Sequence, residues 1–235
     1  NFGFRVIEEF PYDLDGGRLG WIHEFSVEPA GGAFDPTQDG ARVEEALRCV
    51  LNNQAENDAF NALMVRAGLD SNAILMFRAF FRYLRQTGIP YGLTTVVEAL
   101  ASAPDVARSI IDLFTALHQP GKDRAEQAAD ARRALEAGLM NVGIIDEDRI
   151  LRLFVALVEA CLRTNAFVED GPEALAFKFD SSRVPGLPRP VPWREIFVYS
   201  PRVEGIHLRG GPVARGGIRW SDRRDGFRAE VLGLM

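Results

Sequence analysis

The chain has 235 residues, 47% of them hydrophobic and 26% charged, which is enough for one sizeable core or two modest ones. Its formal net charge of −6 argues against a nucleic-acid-binding protein, because phosphate recognition needs a basic surface. Two distant cysteines, Cys49 and Cys161, give no disulfide or zinc framework and point to a reducing, cytoplasmic setting, and no apolar run reaches the roughly 18–20 residues of a membrane span. The chain is expected to be an internal piece of a longer protein. It starts at Asn1 without a leader pattern, and it ends in the apolar run Val231–Met235 with no helix stop signal.

In chain order, residues 1–29 read as β. Phe4-Arg5-Val6-Ile7-Glu8 and Trp21-Ile22-His23-Glu24-Phe25 alternate in part, and Asp15-Gly16-Gly17 supplies a turn. Residues 35–166 read as helices. Asp35 offers an N-cap before Pro36, Gln38 stands at the capping-box place, and Val43, Ala46, Leu47, Val50 and Leu51 follow a helical stripe. A short helix is predicted over 57–67, stopping at Gly68. Ser71 is placed to cap the next, with Ile74, Phe77, Phe81 and Leu84 on one face and Gly88 and Pro90 at its end. Further helices are expected over Thr95–Ser102 and Pro104–His118. Residues 122–137 predict an exposed, charge-rich helix. A last helix starts at Asp146, with Ile150, Leu153, Phe154, Leu157, Val158, Cys161 and Leu162 on one face.

The apolar period changes from 3.6 to 2 near residue 167, which suggests a domain boundary at 165–175 and a helical bundle largely separate from the C-terminal residues 175–235. Leu175–Phe179, Glu195–Tyr199 and Val203–Leu208 read as strands. Ser181–Trp193, with four prolines, reads as a loop, and Asp225–Met235 as the start of a helix. There is no internal repeat.

Chemistry concentrates in Arg209–Asp222. Residues 209–228 hold six arginines (Arg209, Arg215, Arg219, Arg223, Arg224 and Arg228) against only Asp222 and Asp225. Such a reversal of charge in an acidic chain suggests an anionic partner. Arginine grips a carboxylate or phosphate with two parallel hydrogen bonds, and Gly216-Gly217 would let backbone approach a ligand. From the residues alone, a small-anion site and a glycine-rich turn with solvated arginines both remain open. His23, His118 and His207 lack metal-like spacing and read as structural or exposed. Asp222 and Asp225 read as helix N-caps, and Cys49 and Cys161 as core residues.

The segment Gly211-Pro212-Val213-Ala214-Arg215-Gly216-Gly217-Ile218-Arg219-Trp220 resembles the GP-x-x-K-GG-[IL]-R-[FYW] stretch of glutamate and related amino-acid dehydrogenases. Its continuation through Ser221-Asp222-Arg223 to Glu230-Val231-Leu232-Gly233-Leu234-Met235 looks like the large NAD-specific glutamate dehydrogenases in particular. Phe177–Asp180, Pro185–Pro188, Glu195–Tyr199 and Glu56–Leu69 are similar to the same family.

The resemblance implies an α+β chain in three parts. Residues 1–30 would end an upstream β-containing, ACT-like regulatory domain, 35–166 would form a helical module, and 170–235 would begin the substrate-binding part of an α/β catalytic domain. It implies a cytoplasmic homo-oligomer that converts L-glutamate to 2-oxoglutarate and ammonia with NAD. NAD would be bound outside this chain, since no G-x-G-x-x-G occurs in it. Arg215, Gly216, Gly217 and Arg219 are implied substrate-binding residues, with Arg215 where smaller relatives carry a lysine that holds the substrate side-chain carboxylate. The catalytic residues would lie beyond Met235. The alternative is a non-catalytic regulatory or assembly module. Nucleic-acid binding is a weak third reading, because aromatics other than Trp220 and Phe227 do not interleave the arginines.

Overall fold

A computed structural model describes residues 1–31, 34–121, 124–169, 171–220 and 226–235. It opens on an antiparallel ribbon of β1 (Phe4–Leu14) and β2 (Gly20–Pro29), longer than the sequence alternation predicts. Asp15, Gly16 and Gly17 all take positive φ in the connecting turn, the conformation for which glycine carries no steric cost. Apolar side chains stay exposed on both sides of the ribbon, Phe10, Tyr12 and Ile22 on one and Trp21, Phe25 and Val27 on the other.

Helix α1 (Pro36–Leu51) is capped by Asp35, whose carboxylate accepts from Thr37 N at 2.8 Å. The reciprocal arm comes from Asp39, which accepts from Asp35 N at 3.0 Å, and not from Gln38. Of the expected stripe only Ala46 is buried, and Leu47 and Leu51 remain exposed. A 3-10 turn (Ala59–Ala62) and α2 (Leu63–Arg66) lead past Gly68 to α3 (Ser71–Thr87). Asp70, one residue before the expected Ser71, caps α3 through Ala73 N at 2.8 Å. Left-handed Gly88 ends it.

Next come α4 (Leu93–Ser102), α5 (Pro104–His118), α6 (Ala125–Leu139) and α7 (Ile145–Ala160). Helix α6 is not exposed all round, because Ala128, Ala131, Leu135 and Leu139 are buried on the side that meets α5. Helix α7 stops at Ala160, so Cys161 and Leu162, expected on its face, begin strand β3 (Cys161–Thr164) instead. Strands β4 (Leu175–Asp180), β5 (Arg194–Tyr199), β6 (Val203–Arg209) and β7 (Ala214–Trp220) complete an antiparallel sheet in sequence order. The short helix α8 (Phe227–Gly233) packs on β6 and β7. No helix among the described residues is long and apolar enough to cross a membrane.

The expectation of a helical bundle largely separate from the sheet is corrected by α3. Its Phe80 ring lies 4.8 Å from Phe177 of β4 and 6.0 Å from Phe114 of α5, centroid to centroid. Tyr83 stacks on Phe179 at 4.6 Å, and Phe77 meets Phe154 of α7 at 5.2 Å. Helix α3 is apolar on two sides because it sits between α5 and α7 on one side and the sheet on the other. One continuous core runs through both parts, so the switch in period marks a change of secondary structure inside a shared core.

Phe80→Ala is therefore expected to cost about 3–5 kcal/mol, the usual penalty for a fully buried aromatic. Urea unfolding followed by far-UV and aromatic signals should show both falling together at the lower midpoint. Two separated transitions would show that the helices and the sheet have independent cores.

Candidate functional site

The stretch Arg209–Trp220, left open between turn and anion site by the sequence, is the β6–β7 hairpin. Gly210 N donates to Val213 O at 3.0 Å, and Gly211 at φ 109° turns the chain. Only Gly210–Val213 is turn; the paired glycines lie in strand β7, opposite Ile206 and His207.

Strand alternation divides the four expected site residues. Arg215, Gly217 and Arg219 share one face with Leu208, Ile206 and Glu204 across the ladder, while Gly216 faces the other way, over His207. A Cβ on Gly216 would lie 2.8 Å from the Ile206 carbonyl oxygen and 3.0 Å from the His207 ring. The close approach of β6 and β7 thus explains this glycine without a ligand. A Cβ on Gly217 would meet the Phe227 ring of α8 at 3.2 Å, a softer obstacle.

The two arginines have different surroundings. Arg219 is 7% exposed, donates to Glu204 Oε2 from Nη2 at 2.8 Å and from Nε at 3.2 Å, and lies 5.2 Å over the Phe227 ring. Arg215 is exposed, and its Nη1 donates to the neighbouring Ala214 carbonyl at 2.9 Å. Among the described residues no carboxylate pairs with Arg215. A guanidinium fork of this kind can take a carboxylate or phosphate with two parallel hydrogen bonds.

On the same face of the sheet, deeper in the core, lie residues that the sequence reading missed. Glu195 of β5 is 1% exposed and accepts from Arg228 of α8 at 2.5 and 2.8 Å and from the Tyr83 hydroxyl at 3.1 Å. Burial opposes the Arg228 charge, but Glu195 outweighs it and keeps the guanidinium protonated. Burial, reinforced by Glu195, pushes the Tyr83 phenol well above its usual range, so Tyr83 remains a donor. Glu204 of β6 is wholly buried; desolvation raises its carboxyl above the usual value although Arg219 pulls the other way. A signal for both was present. Glu195 sits in register with Phe197 and Tyr199, and Glu204 with Ile206 and Leu208, so each carboxylate takes an inward place in an alternating strand.

Other candidates resolve structurally. His118 is half-buried with Nε2 3.3 Å from the Val158 carbonyl, and burial lowers its pKa. His23 meets Glu9 on the exposed ribbon, and no cluster of metal-binding side chains occurs among the described residues. Burial pushes the Cys161 thiol up to about 12, which suits a core residue. The N-cap roles of Asp222 and Asp225, with Arg223 and Arg224, lie outside the described residues.

Residues 134–235 match the family model of the bacterial NAD-glutamate dehydrogenase catalytic domain, and residues 55–120 match that of glutamate dehydrogenase helical motif 3. The whole chain aligns with proteins named NAD-specific glutamate dehydrogenase. Identity is 44% with that of Pseudomonas aeruginosa, 41% with that of Mycobacterium tuberculosis and 40% with that of Halomonas elongata. The chain spans 15%, 16% and 15% of those proteins' lengths.

Gly216→Ala must push against β6 backbone and should cost about 1–3 kcal/mol, the range for overpacking. Gly40→Ala, in helix α1 with open space around it, should instead be neutral or stabilise by up to about 1 kcal/mol. Equal urea midpoints for the two variants would show that the β6–β7 approach is looser than described.

Proposed function

The chain belongs to the family of bacterial NAD-glutamate dehydrogenases, and we propose on that basis that it forms part of an enzyme that oxidatively deaminates L-glutamate to 2-oxoglutarate and ammonia. The observation that carries a substrate role for this segment is Arg215, an exposed guanidinium on an ordered strand with no carboxylate partner among the described residues.

Glutamate loses a hydride from its α-carbon in this reaction, so the substrate must be held in a fixed pose while hydride leaves. Arg215 does this by gripping the side-chain carboxylate at the end remote from the reacting carbon. Gly217 shares its face and lets the Phe227 ring of α8 pack on β7, Gly216 lets β7 lie close against β6, and Arg219 holds the strand through Glu204. NAD supplies the hydride acceptor. This chain's residues do not fit a dinucleotide: the sequence has no G-x-G-x-x-G, and every strand pairing among the described residues is antiparallel, with no crossover to a parallel strand. NAD binding and the proton-transfer groups are assigned to parts of the enzyme outside these residues. Residues 1–30 are assigned to the end of a β-containing regulatory domain. The support is the ribbon's apolar side chains, exposed on both faces of a two-stranded unit that is marginal alone.

In the intact dehydrogenase, Arg215→Ala should lower kcat/KM for glutamate about ten- to a hundred-fold, the loss of one charge-assisted hydrogen-bonded contact. Arg215→Lys should retain part of the activity, since it keeps charge without the planar fork. Selectivity for glutamate over norvaline should fall in Arg215→Ala; equal slowing of both substrates would mean that Arg215 supports strand β7 and does not hold the carboxylate. The purified 235-residue chain is expected to form no NADH from glutamate, and measurable turnover would contradict the assignment of NAD to other parts of the enzyme.

A further inference from the structure

We propose that Glu204 is a positioning residue through which helix α3 sets the aim of Arg215, an inference that rests on the substrate-binding reading of Arg215. Glu204 is wholly buried, at the back of a cavity lined by Arg78, Arg82 and Arg202 and apart from the exposed Arg215 guanidinium. It stands directly across from Arg219 on the β6–β7 ladder, and one oxygen, Oε2, accepts both Arg219 bonds. From the other side Gln86 of α3 approaches the same oxygen at 3.4 Å, and Arg82 Nη1 of α3 stands 3.8 Å from Oε1. Gln86 also accepts from Arg228 N of α8 at 3.3 Å. Glu204 is thus the point at which α3 meets the strand that carries the anion-binding arginine.

The strand needs such a point. β7 is an edge strand, hydrogen-bonded to β6 and to no other strand among the described residues. An edge strand has one ladder to fix its pleat and twist, so side-chain clamps along it decide which way its residues point. Arg219 and Arg215 lie on the same face, four residues or roughly 13 Å apart at strand rise. Rotation of β7 about its axis at Arg219 re-aims Arg215 by the same angle. The Arg219 guanidinium, pinned between Glu204 and the Phe227 ring, resists that rotation. A misplacement of about 1 Å at a clamping group is enough to lose much of its effect.

A double-mutant cycle in the intact dehydrogenase tests this. Glu204→Gln keeps the shape and removes the charge. It should raise KM for glutamate about tenfold, change kcat less than about threefold, and leave kcat/KM for norvaline nearly unchanged. In the Arg215→Ala background the same change should alter glutamate KM less than about twofold, because the aim of an absent arginine cannot matter. Glu204→Asp, which restores the charge one methylene short, should fall between wild type and Glu204→Gln.

A lower melting temperature with an unchanged glutamate KM would overturn the proposal, as would full additivity with Arg215→Ala, since either is what a merely structural carboxylate produces. Should Glu204→Gln not accumulate, Gln86→Met leaves the ion pair intact and removes the α3 contact. It should raise glutamate KM about threefold with the same non-additivity, and an unchanged KM would overturn the proposal. If Arg215→Ala alone leaves the glutamate-to-norvaline preference intact, the carboxylate reading itself fails, a result distinct from a failure confined to Glu204.

Discussion

Two carboxylates on adjacent strands, Glu195 and Glu204, are buried where a charge without a partner is very costly, and the contacts between α3, α8 and β7 are arranged to supply those partners. Removing one partner of such a pair typically costs about 3–5 kcal/mol, because the other is left charged in a dry site. The donors come from three elements: Tyr83 and Gln86 from α3, Arg228 from α8 and Arg219 from β7. A slide of α3 by one helical turn, about 5.4 Å, would take Tyr83 from Glu195 and Gln86 from Glu204 at once and leave each acid its arginine alone. The aromatic contacts around Phe80 and Tyr83 supply most of the apolar burial here, but they tolerate small slides better than directed hydrogen bonds do.

The same constraint separates two arginines that the sequence presents as equivalent. Arg215 and Arg219 stand on one face of one strand, flanking the glycine pair. The partners across the ladder differ: Leu208 stands opposite Arg215 and Glu204 opposite Arg219, where the Phe227 ring also lies against the guanidinium. Leucine offers no charge, so Arg215 has no carboxylate across the ladder, and its one hydrogen bond goes to the Ala214 carbonyl. Glu204, in a dry position, takes two hydrogen bonds from Arg219 and pairs its charge. The division of labour on β7 is therefore written on β6.

That is also where sequence reading loses its grip. Helix ends were legible because caps are local: Asp35 before Pro36, and Gly88 after α3, act within a turn of their own position. Strands β4, β5 and β6 were legible from alternation. Strand β7 was not, since Arg-Gly-Gly carries no alternating apolar signal and its strand state comes from pairing with β6. The extent of α7 was overrun at Cys161 and Leu162 because they fit a helical stripe, while Cys161 pairs with Phe179 in the sheet. The separate-bundle expectation failed for a related reason. Phe77 and Phe81 fit one helical stripe, but Phe80 and Tyr83, on a further face, pack against aromatic side chains of β4 and β5. Alternation marks the inward places of Glu195 and Glu204, but their arginine partners lie 33 and 15 residues away in sequence, beyond the reach of any local pattern.

The local excess of arginine in residues 209–228 consequently overstates the positive charge offered to a ligand. Arg219 and Arg228 are neutralised by acids drawn from β6 and β5, and both are largely removed from solvent. Arg209 donates to the Gly211 carbonyl and leans on the Trp193 ring at 5.8 Å, at the turn end of the hairpin. Among the described arginines of the segment, Arg215 alone combines exposure with a place within strand β7, beside the paired glycines. A diffuse basic patch would favour an extended polyanion, whereas a single exposed fork on an ordered strand, beside a glycine, suits one small carboxylate. The chain's acidic balance of −6 favours the same ligand class, because long-range repulsion disfavours a polyanion far more than it disfavours a small ion meeting one guanidinium at close range.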